Sequence, residues 1–191
     1  MKKIGLFFGS FNPIHIGHLI IANYMAHYTD LAEVWLVVSP HNPLKKKDNL
    51  LNMYDRLEMV NLALEDAGQI RSTDIEFRLP QPSYTIDTLI HLQERYPDYT
   101  FVLIMGADNL LTLNKWKNYE IILRDFAIYV YPRPHCDINS WMNHPKITIT
   151  STPLMEISST FIRKAIKDGK NVQYFLPDKV LQFIDKKGVY L

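Results

Sequence analysis

The sequence predicts an α/β fold, a doubly wound parallel sheet flanked by helices, formed as one domain over residues 1–191. Three observations carry this expectation. Short unbroken apolar runs recur along the chain, as in strands buried on both faces. Stretches with helical periodicity alternate with those runs. The 191 residues are 47% apolar, enough to bury a core without disulfides or a structural metal.

Residues 4–8 form the first apolar run, which ends at Gly9-Ser10 and reads as the opening strand. A loop containing Pro13 follows, then a mostly apolar helix at 17–28 with Leu19, Ile20, Ala22, Met25 and Ala26. Residues 34–38 supply the next buried strand and complete a βαβ unit. Met53, Leu57, Val60, Leu64 and Ala67 give a helical period over 52–67, with Gly68 placed to end it. A weaker strand is expected at 70–75, a helix at 85–96 stopped by Pro97, and a strongly apolar strand at 101–105 running into Gly106. Later strands are expected at 126–131 and 146–149, and helices at 159–167 and 178–186 make a closing helical segment at about 158–187. The alternation is Rossmann-like. Ligands of such sheets sit beyond the carboxyl ends of the strands, which directs attention to Gly9-Ser10, Ser39-Pro40-His41 and Gly106-Ala107-Asp108.

Composition narrows the functional classes. The formal net charge of +1 offers no basic face for a nucleic acid, and an anion site must be local. Cys136 is the single cysteine, so neither an internal disulfide nor a zinc knuckle is expected, which fits a reducing cytoplasm. The apolar run after Lys2-Lys3 is too short for a signal peptide or a membrane span. The sequence is compatible with a homo-oligomer and does not specify one.

The first loop carries the strongest chemical signal. Gly9 lets the backbone turn and approach a ligand, Pro13 stiffens the loop, and Gly17-His18 falls at the start of a helix whose exposed amides favour phosphate. His15 and His18 lie three residues apart, where both imidazoles can address one polyphosphate. An arbitrary His-x-x-His pair is more often a core histidine and a helix cap. Here the pair directly follows the first buried strand, which favours function. Zinc is disfavoured because the metalloprotease Glu and a third ligand are missing. Neither Gly-x-x-x-x-Gly-Lys nor Gly-x-Gly-x-x-Gly is present. Gly9-Ser10-Phe11-Asn12-Pro13 followed by His15-Ile16-Gly17-His18 resembles the signature of the nucleotidyltransferase superfamily with a His-x-Gly-His loop.

A second motif lies near the other end. Ser158 and Ser159 precede a predicted helix as natural N-caps, and Arg163 follows in its first turns. A helix N-terminus with a forked guanidinium is a ready anion site. Ile157 to Arg163 resembles the Ile-Ser-Ser-Thr-x-Ile-Arg motif of the same superfamily, which implies contact with the ATP triphosphate.

The middle of the chain bears on the acceptor. Gly106-Ala107-Asp108 with Trp116, the Ser83-Tyr84-Thr85 segment, and Pro40-His41-Asn42-Pro43-Leu44-Lys45 resemble segments of bacterial nicotinate mononucleotide adenylyltransferases. The resemblance implies that ATP is bound by Gly9, Ser10, Phe11, His15, His18, Gly106, Asp108, Ser158, Ser159 and Arg163. It implies that the mononucleotide is bound by Ser10, Lys45, Tyr84, Thr85 and Trp116. Trp116, among polar neighbours, can stack on a pyridine ring, and the amides near Tyr84-Thr85 can receive its carboxylate. Ser10 and Asn12 stand where many relatives carry Thr and Asp, and Asn42-Pro43-Leu44 alters the lysine loop.

The expected reaction joins the AMP part of ATP to nicotinate mononucleotide in NAD biosynthesis. The acceptor phosphate, already an anion, attacks the α-phosphorus in line without a covalent intermediate, and His15, His18 and Arg163 stabilise the spreading charge. Mg²⁺ is expected to bridge ATP phosphates with few or no direct protein ligands, and Asp108 to take a ribose hydroxyl. Competing readings are an adenylyltransferase preferring nicotinamide mononucleotide or phosphopantetheine, and a nucleotide-binding module without catalysis.

Overall fold

Parity along the apolar runs decides the layering of the molecule. In the computed structural model, which describes residues 1–41, 50–65 and 67–191, Leu6 and Phe7 point to opposite faces of one sheet, as do Trp35 and Leu36, and Leu103 and Ile104. All six side chains are almost fully buried. Burial of each such side chain stabilises the fold by roughly 1.5–3 kcal/mol. Continuous apolar runs are therefore what the two-sided burial of these strands requires. Lys45 and its loop lie outside the described residues.

The strands β1 (Lys2–Gly9), β2 (Glu33–Val38), β3 (Ile70–Thr73), β4 (Tyr99–Gly106), β5 (Ala127–Tyr131) and β6 (Ile147–Ile149) lie in the order β3-β2-β1-β4-β5-β6. Every pairing is parallel, with Phe7 opposite Leu36 on one side and Ile104 on the other. One face is covered by α1 (Ile16–Tyr28), α2 (Met53–Ala63), α6 (Ser159–Lys167) and α7 (Asp178–Lys187), through Met25, Val60, Ile162 and Val180. The other is covered by α3 (Thr85–Arg95), α4 (Ala107–Leu110) and α5 (Tyr119–Asp125), through Leu89, Leu110 and Ile122. This is the Rossmann-like doubly wound sheet that the alternation predicts. Among the described residues no helix is long and apolar enough to cross a membrane.

The short helix α4 after the Gly106 strand end was not expected, and three further elements differ from the sequence expectation. The helix expected over 52–67 ends at Ala63, and Gly68 takes its left-handed conformation (φ +58) only after a further turn closed by Ala67 N–H on Leu64 O. The strand expected to reach Ile75 stops at Thr73, because residues Ile75–Arg78 turn as a 3-10 helix that buries Ile75 and Glu76. Helix α5 was not anticipated. Its start at Asn118, in the left-handed region (φ 52), follows a polar stretch that reads as loop.

Candidate functional site

Strand order reverses between β1 and β4, and their carboxyl ends deliver the first loop and Gly106 to the same crevice. Phe11 packs its ring inside, 1% exposed, with its backbone in the left-handed region (φ 45). It meets Phe7 and His18 edge-on at 5.9 and 5.1 Å between centroids. A Cβ on Gly9 would stand 2.7 Å from that ring, so packing against Phe11 requires the glycine before any ligand does. Phe11 can thus offer a ligand only its backbone. Ser10 lies at the surface of a neighbouring cavity.

The two histidines are stacked, with centroids 3.7 Å apart, at the start of α1. His15 is 4% exposed, and burial, aided by the charge of Arg133, pushes its imidazole down to about 4. It is neutral at physiological pH, and its buried Nδ1 has no hydrogen-bond partner among the described residues. The His15 backbone N–H donates to His18 Nδ1 at 3.3 Å. That bond leaves His18 Nε2 as the nitrogen that carries a proton. Gly17 packs closely on the His15 ring, and a Cβ there, 3.1 Å from it, would require the ring to give way by a few tenths of an ångström.

The motifs from the two ends of the chain meet directly. Arg163 Nη1 donates to Asn12 O at 2.7 Å, and Ser159 Oγ donates to Pro13 O at 2.9 Å. Arg163 Nη2 also donates to Thr160 Oγ1 at 3.3 Å. Ser158 is the N-cap of α6, its Oγ accepting from Phe161 N–H at 3.2 Å. The α6 N-terminus is therefore fastened to the first loop beside the histidines. Asn12 is buried, and its Oδ1 accepts from Leu51 N–H and from the Tyr190 hydroxyl.

Asp108 opens α4 after Gly106, where a Cβ would fall 2.3 Å from Asp108 Oδ1. Asp108 pairs with Arg133 at 3.7 Å. Arg133, beyond the end of β5, also donates to Met155 O at 3.0 Å and lies over the Tyr131 ring at 5.3 Å. The sequence reading missed Arg133. Its only signal was a basic residue just past a buried strand, which gains meaning once β5 is known to adjoin β4.

A cavity of about 390 Å³ opens beside the first loop. Its wall brings together Gly9, Ser10, Tyr84, Thr85 and Trp116 from the expected set. Among the described residues His15, His18, Asp108 and Arg163 are not on this wall; Arg163 reaches the first loop at Asn12 O, and Asp108 lies beside Arg133. Trp116 is half-buried, and its indole N–H has no partner among the described residues. Helix α3 has no side-chain cap, so Tyr84 and Thr85 present an open helix N-terminus to the cavity. Lys117 pairs with Asp87 at 2.8 Å and lies 4.7 Å from the Tyr84 ring centroid.

Two charged residues under the site escaped the sequence reading because charge in a periodic stretch reads as solvent-facing. Arg56 of α2 is fully buried and remains charged although burial pushes it down to about 10. It donates to the carbonyls of Ser10, Ser39, Pro40 and Leu51 at 2.6, 2.7, 2.8 and 2.9 Å, tying the ends of β1 and β2 to α2. Glu76 is 2% exposed on the cavity wall and accepts from Ser83 and Thr88 hydroxyls.

The sequence model of the cytidylyltransferase-like family matches residues 6–165. A protein of Flavobacterium psychrophilum named "probable nicotinate-nucleotide adenylyltransferase" is 60% identical over 190 residues, 98% of each chain. A Flavobacterium johnsoniae protein of the same name is 58% identical, again over 98% of each chain. Among solved structures, Plasmodium falciparum nicotinic acid mononucleotide adenylyltransferase complexed with NaAD superposes with a TM-score of 0.84 at 20% identity, covering 100% of this chain and 98% of that one. With the Rossmann-like sheet, the paired histidines and the fastened α6 in place, the chain belongs to the cytidylyltransferase-like family and, within it, to the nicotinate-nucleotide adenylyltransferases.

Proposed function

We propose that this protein transfers the adenylyl group of ATP to nicotinate mononucleotide, releasing pyrophosphate and nicotinate adenine dinucleotide. The observation that carries the reading is the union of the histidine loop with α6, through Arg163 to Asn12 and Ser159 to Pro13, beside a cavity walled by Trp116 and the open end of α3. The first part suits a polyphosphate and the second a flat ring bearing a carboxylate.

In this reading His18 Nε2–H donates to the α-phosphoryl oxygens, and His15 with the α6 amides and Arg163 holds the phosphates that leave. Gly9, Ser10, Phe11 and Gly106 shape the backbone around ATP, and Asp108, steadied by Arg133, accepts a ribose hydroxyl. The pyridine ring stacks on Trp116, and its carboxylate takes the place of the missing cap on Tyr84 and Thr85. The mononucleotide phosphate attacks in line and needs no general base, so catalysis comes from alignment and from donors fixed before the charge develops. A Mg²⁺ ion bound to the ATP phosphates would neutralise part of their charge, leaving His15, His18 and Arg163 to supply the protein's share.

Pyrophosphate release with nicotinate mononucleotide, nicotinamide mononucleotide and phosphopantetheine as alternative acceptors tests the substrate. The highest kcat/KM is expected for nicotinate mononucleotide, whereas ATP binding without turnover of any acceptor would establish a non-catalytic module. His18→Ala is expected to lose about 3 kcal/mol of transition-state stabilisation, seen in kcat far more than in ATP affinity. An unchanged kcat removes His18 from the mechanism.

A further inference from the structure

Glu76 is a carboxylate that nearly lacks solvent and has no ion-pair partner among the described residues. It sits in the turn between β3 and α3, on the wall of the mononucleotide cavity. Its Oε1 accepts from Thr88 Oγ1 at 2.8 Å and its Oε2 from Ser83 Oγ at 3.0 Å. Both hydroxyl residues are themselves buried, and they flank Tyr84-Thr85 in the chain. The Glu76 backbone carbonyl also accepts from Gln81 Nε2 at 3.0 Å, closing the loop that leads into α3. A structural clamp alone would need only a neutral acceptor; a carboxyl group costs desolvation that an amide does not.

We propose that Glu76 is a positioning residue of the mononucleotide pocket that takes up one proton from solvent when a ring carboxylate is seated on the α3 amides, so that the preference for an acid ring over an amide ring depends on pH. This rests on the pyridine reading of the cavity given above. The reasoning is electrostatic. Two carboxylates on one poorly hydrated cavity disfavour each other's charge, and the buried one has the weaker hold on its ionised form. Burial already holds the Glu76 carboxyl above its ordinary range, with the bonds from Thr88, Ser39 and Ser83 opposing. Once protonated, Glu76 donates its O–H to Ser83 or Thr88, whose hydroxyls rotate to accept, so the clamp survives the change. A neutral carboxamide ring brings no second charge and no coupling.

Among the described residues, the other titratable groups facing this cavity are His41 beyond β2, Tyr84 at the start of α3, and Lys115 and Lys117 in the stretch before α5. On the flanking turns, Asp74 pairs with Arg78 at 3.7 Å and Asp87 with Lys117 at 2.8 Å. The phosphates are common to both substrates and cancel in the ratio of the two, whereas a charge on His41, Lys115 or Lys117 acts on the acid ring alone, so the part of the pH dependence that E76Q removes is what reports Glu76.

The test is the ratio of kcat/KM for nicotinate over nicotinamide mononucleotide, followed from about pH 5 to about pH 9 in the wild-type protein, E76Q and E76A. The wild-type ratio is expected to fall by about tenfold or more as pH rises, a change of at most tenfold per pH unit, and to do so through KM. E76Q keeps acceptor and donor atoms for Ser83 and Thr88, and its ratio is expected to be flatter than that of the wild-type protein. E76A, which removes the clamp, is expected to raise KM for both substrates, with E76Q restoring part of the loss. A flat wild-type ratio, or an E76Q ratio with the wild-type slope, overturns the coupling while leaving the substrate assignment standing. No pyrophosphate release by the wild-type protein with either pyridine mononucleotide overturns the substrate assignment and the coupling together.

Discussion

Replacing Arg56 with methionine removes a charge that no carboxylate among the described residues balances and would, on a simple view, relieve the fold of a burden. The geometry says otherwise. Arg56 donates four hydrogen bonds, at 2.6 to 2.9 Å, to carbonyls contributed by the first loop, the end of β2 and the segment before α2. Bonds to a charged group contribute about 1.5–3 kcal/mol each, and the guanidinium's own desolvation, several kcal/mol, offsets much of that. Methionine matches the apolar stem but leaves the carbonyls without donors, at about 1–3 kcal/mol for each one that water cannot reach. A net loss of about 3–5 kcal/mol is expected, the range typical when one side of a buried charged network is removed. For a chain of this size that corresponds to a drop in Tm on the order of 10 °C.

The same substitution should be felt in the site, because Ser10 and Ser39 line the cavity proposed for the mononucleotide and Arg56 holds both. Urea unfolding gives the stability change, and steady-state kinetics should show a raised KM for the mononucleotide. Arg56→Lys separates charge from geometry, since an ammonium cannot span three chain segments as a planar fork does. It is expected to recover less than half of the loss. A destabilisation of Arg56→Met below about 1 kcal/mol with unchanged KM, or full recovery with lysine, would refute the assignment of Arg56 as the tie between the two loops.

Two further outcomes are expected. His15, held at about 4 against an ordinary 6.5, is protonated in the unfolded chain before the folded one, so its stabilising contribution is complete above pH 6.5 and is lost as pH falls toward 4. His15→Gln should therefore flatten the stability profile by about 2 kcal/mol between pH 7 and pH 5, measured by urea unfolding; an unaltered slope would show that His15 is not buried neutral. Trp116→Ala should raise KM for the pyridine mononucleotide by about tenfold, the loss of a stacking contact of roughly 1–1.5 kcal/mol, with KM for ATP unchanged and Trp116→Phe intermediate; equal effects on both substrates would move Trp116 out of the ring site.

The sheet was legible because burial on both faces leaves an unmistakable mark, as at residues 4–8 and 101–105, where polar residues are absent in either parity. The α5 segment was not, since Ile121-Ile122-Leu123 is too short a run to distinguish helix from strand, and its helical start depends on the left-handed Asn118. Both phosphate motifs were legible as local patterns. Their fastening through Asn12 and Pro13 was not, because a backbone carbonyl has no sequence signature and these partners lie 146 and 151 residues away. Arg56 and Glu76 were hidden for a related reason: each is paid for by backbone or hydroxyl groups, so no opposite charge nearby in sequence announces it.

In the proposed mechanism, the placement of charge around the histidines accounts for how a protein of net charge +1 would hold a polyphosphate. His15 contributes none, being neutral, and the two arginines near it are each already engaged, Arg163 by Asn12 O and Arg133 by Asp108 and Met155 O. Their positions are thereby fixed before any ligand arrives. Free arginines would attract ATP more strongly but would have to be ordered at the moment of reaction, and they would grip pyrophosphate as firmly as the triphosphate. Donors locked by protein contacts stabilise charge only where it develops, which lowers the barrier without deepening the bound states on either side of it. The Asn12 acceptor is a backbone oxygen that no substitution removes, but Thr160→Val takes away the side-chain acceptor of Arg163 Nη2 and should therefore tighten ground-state ATP binding while lowering kcat, the opposite of what a site built on net charge would do.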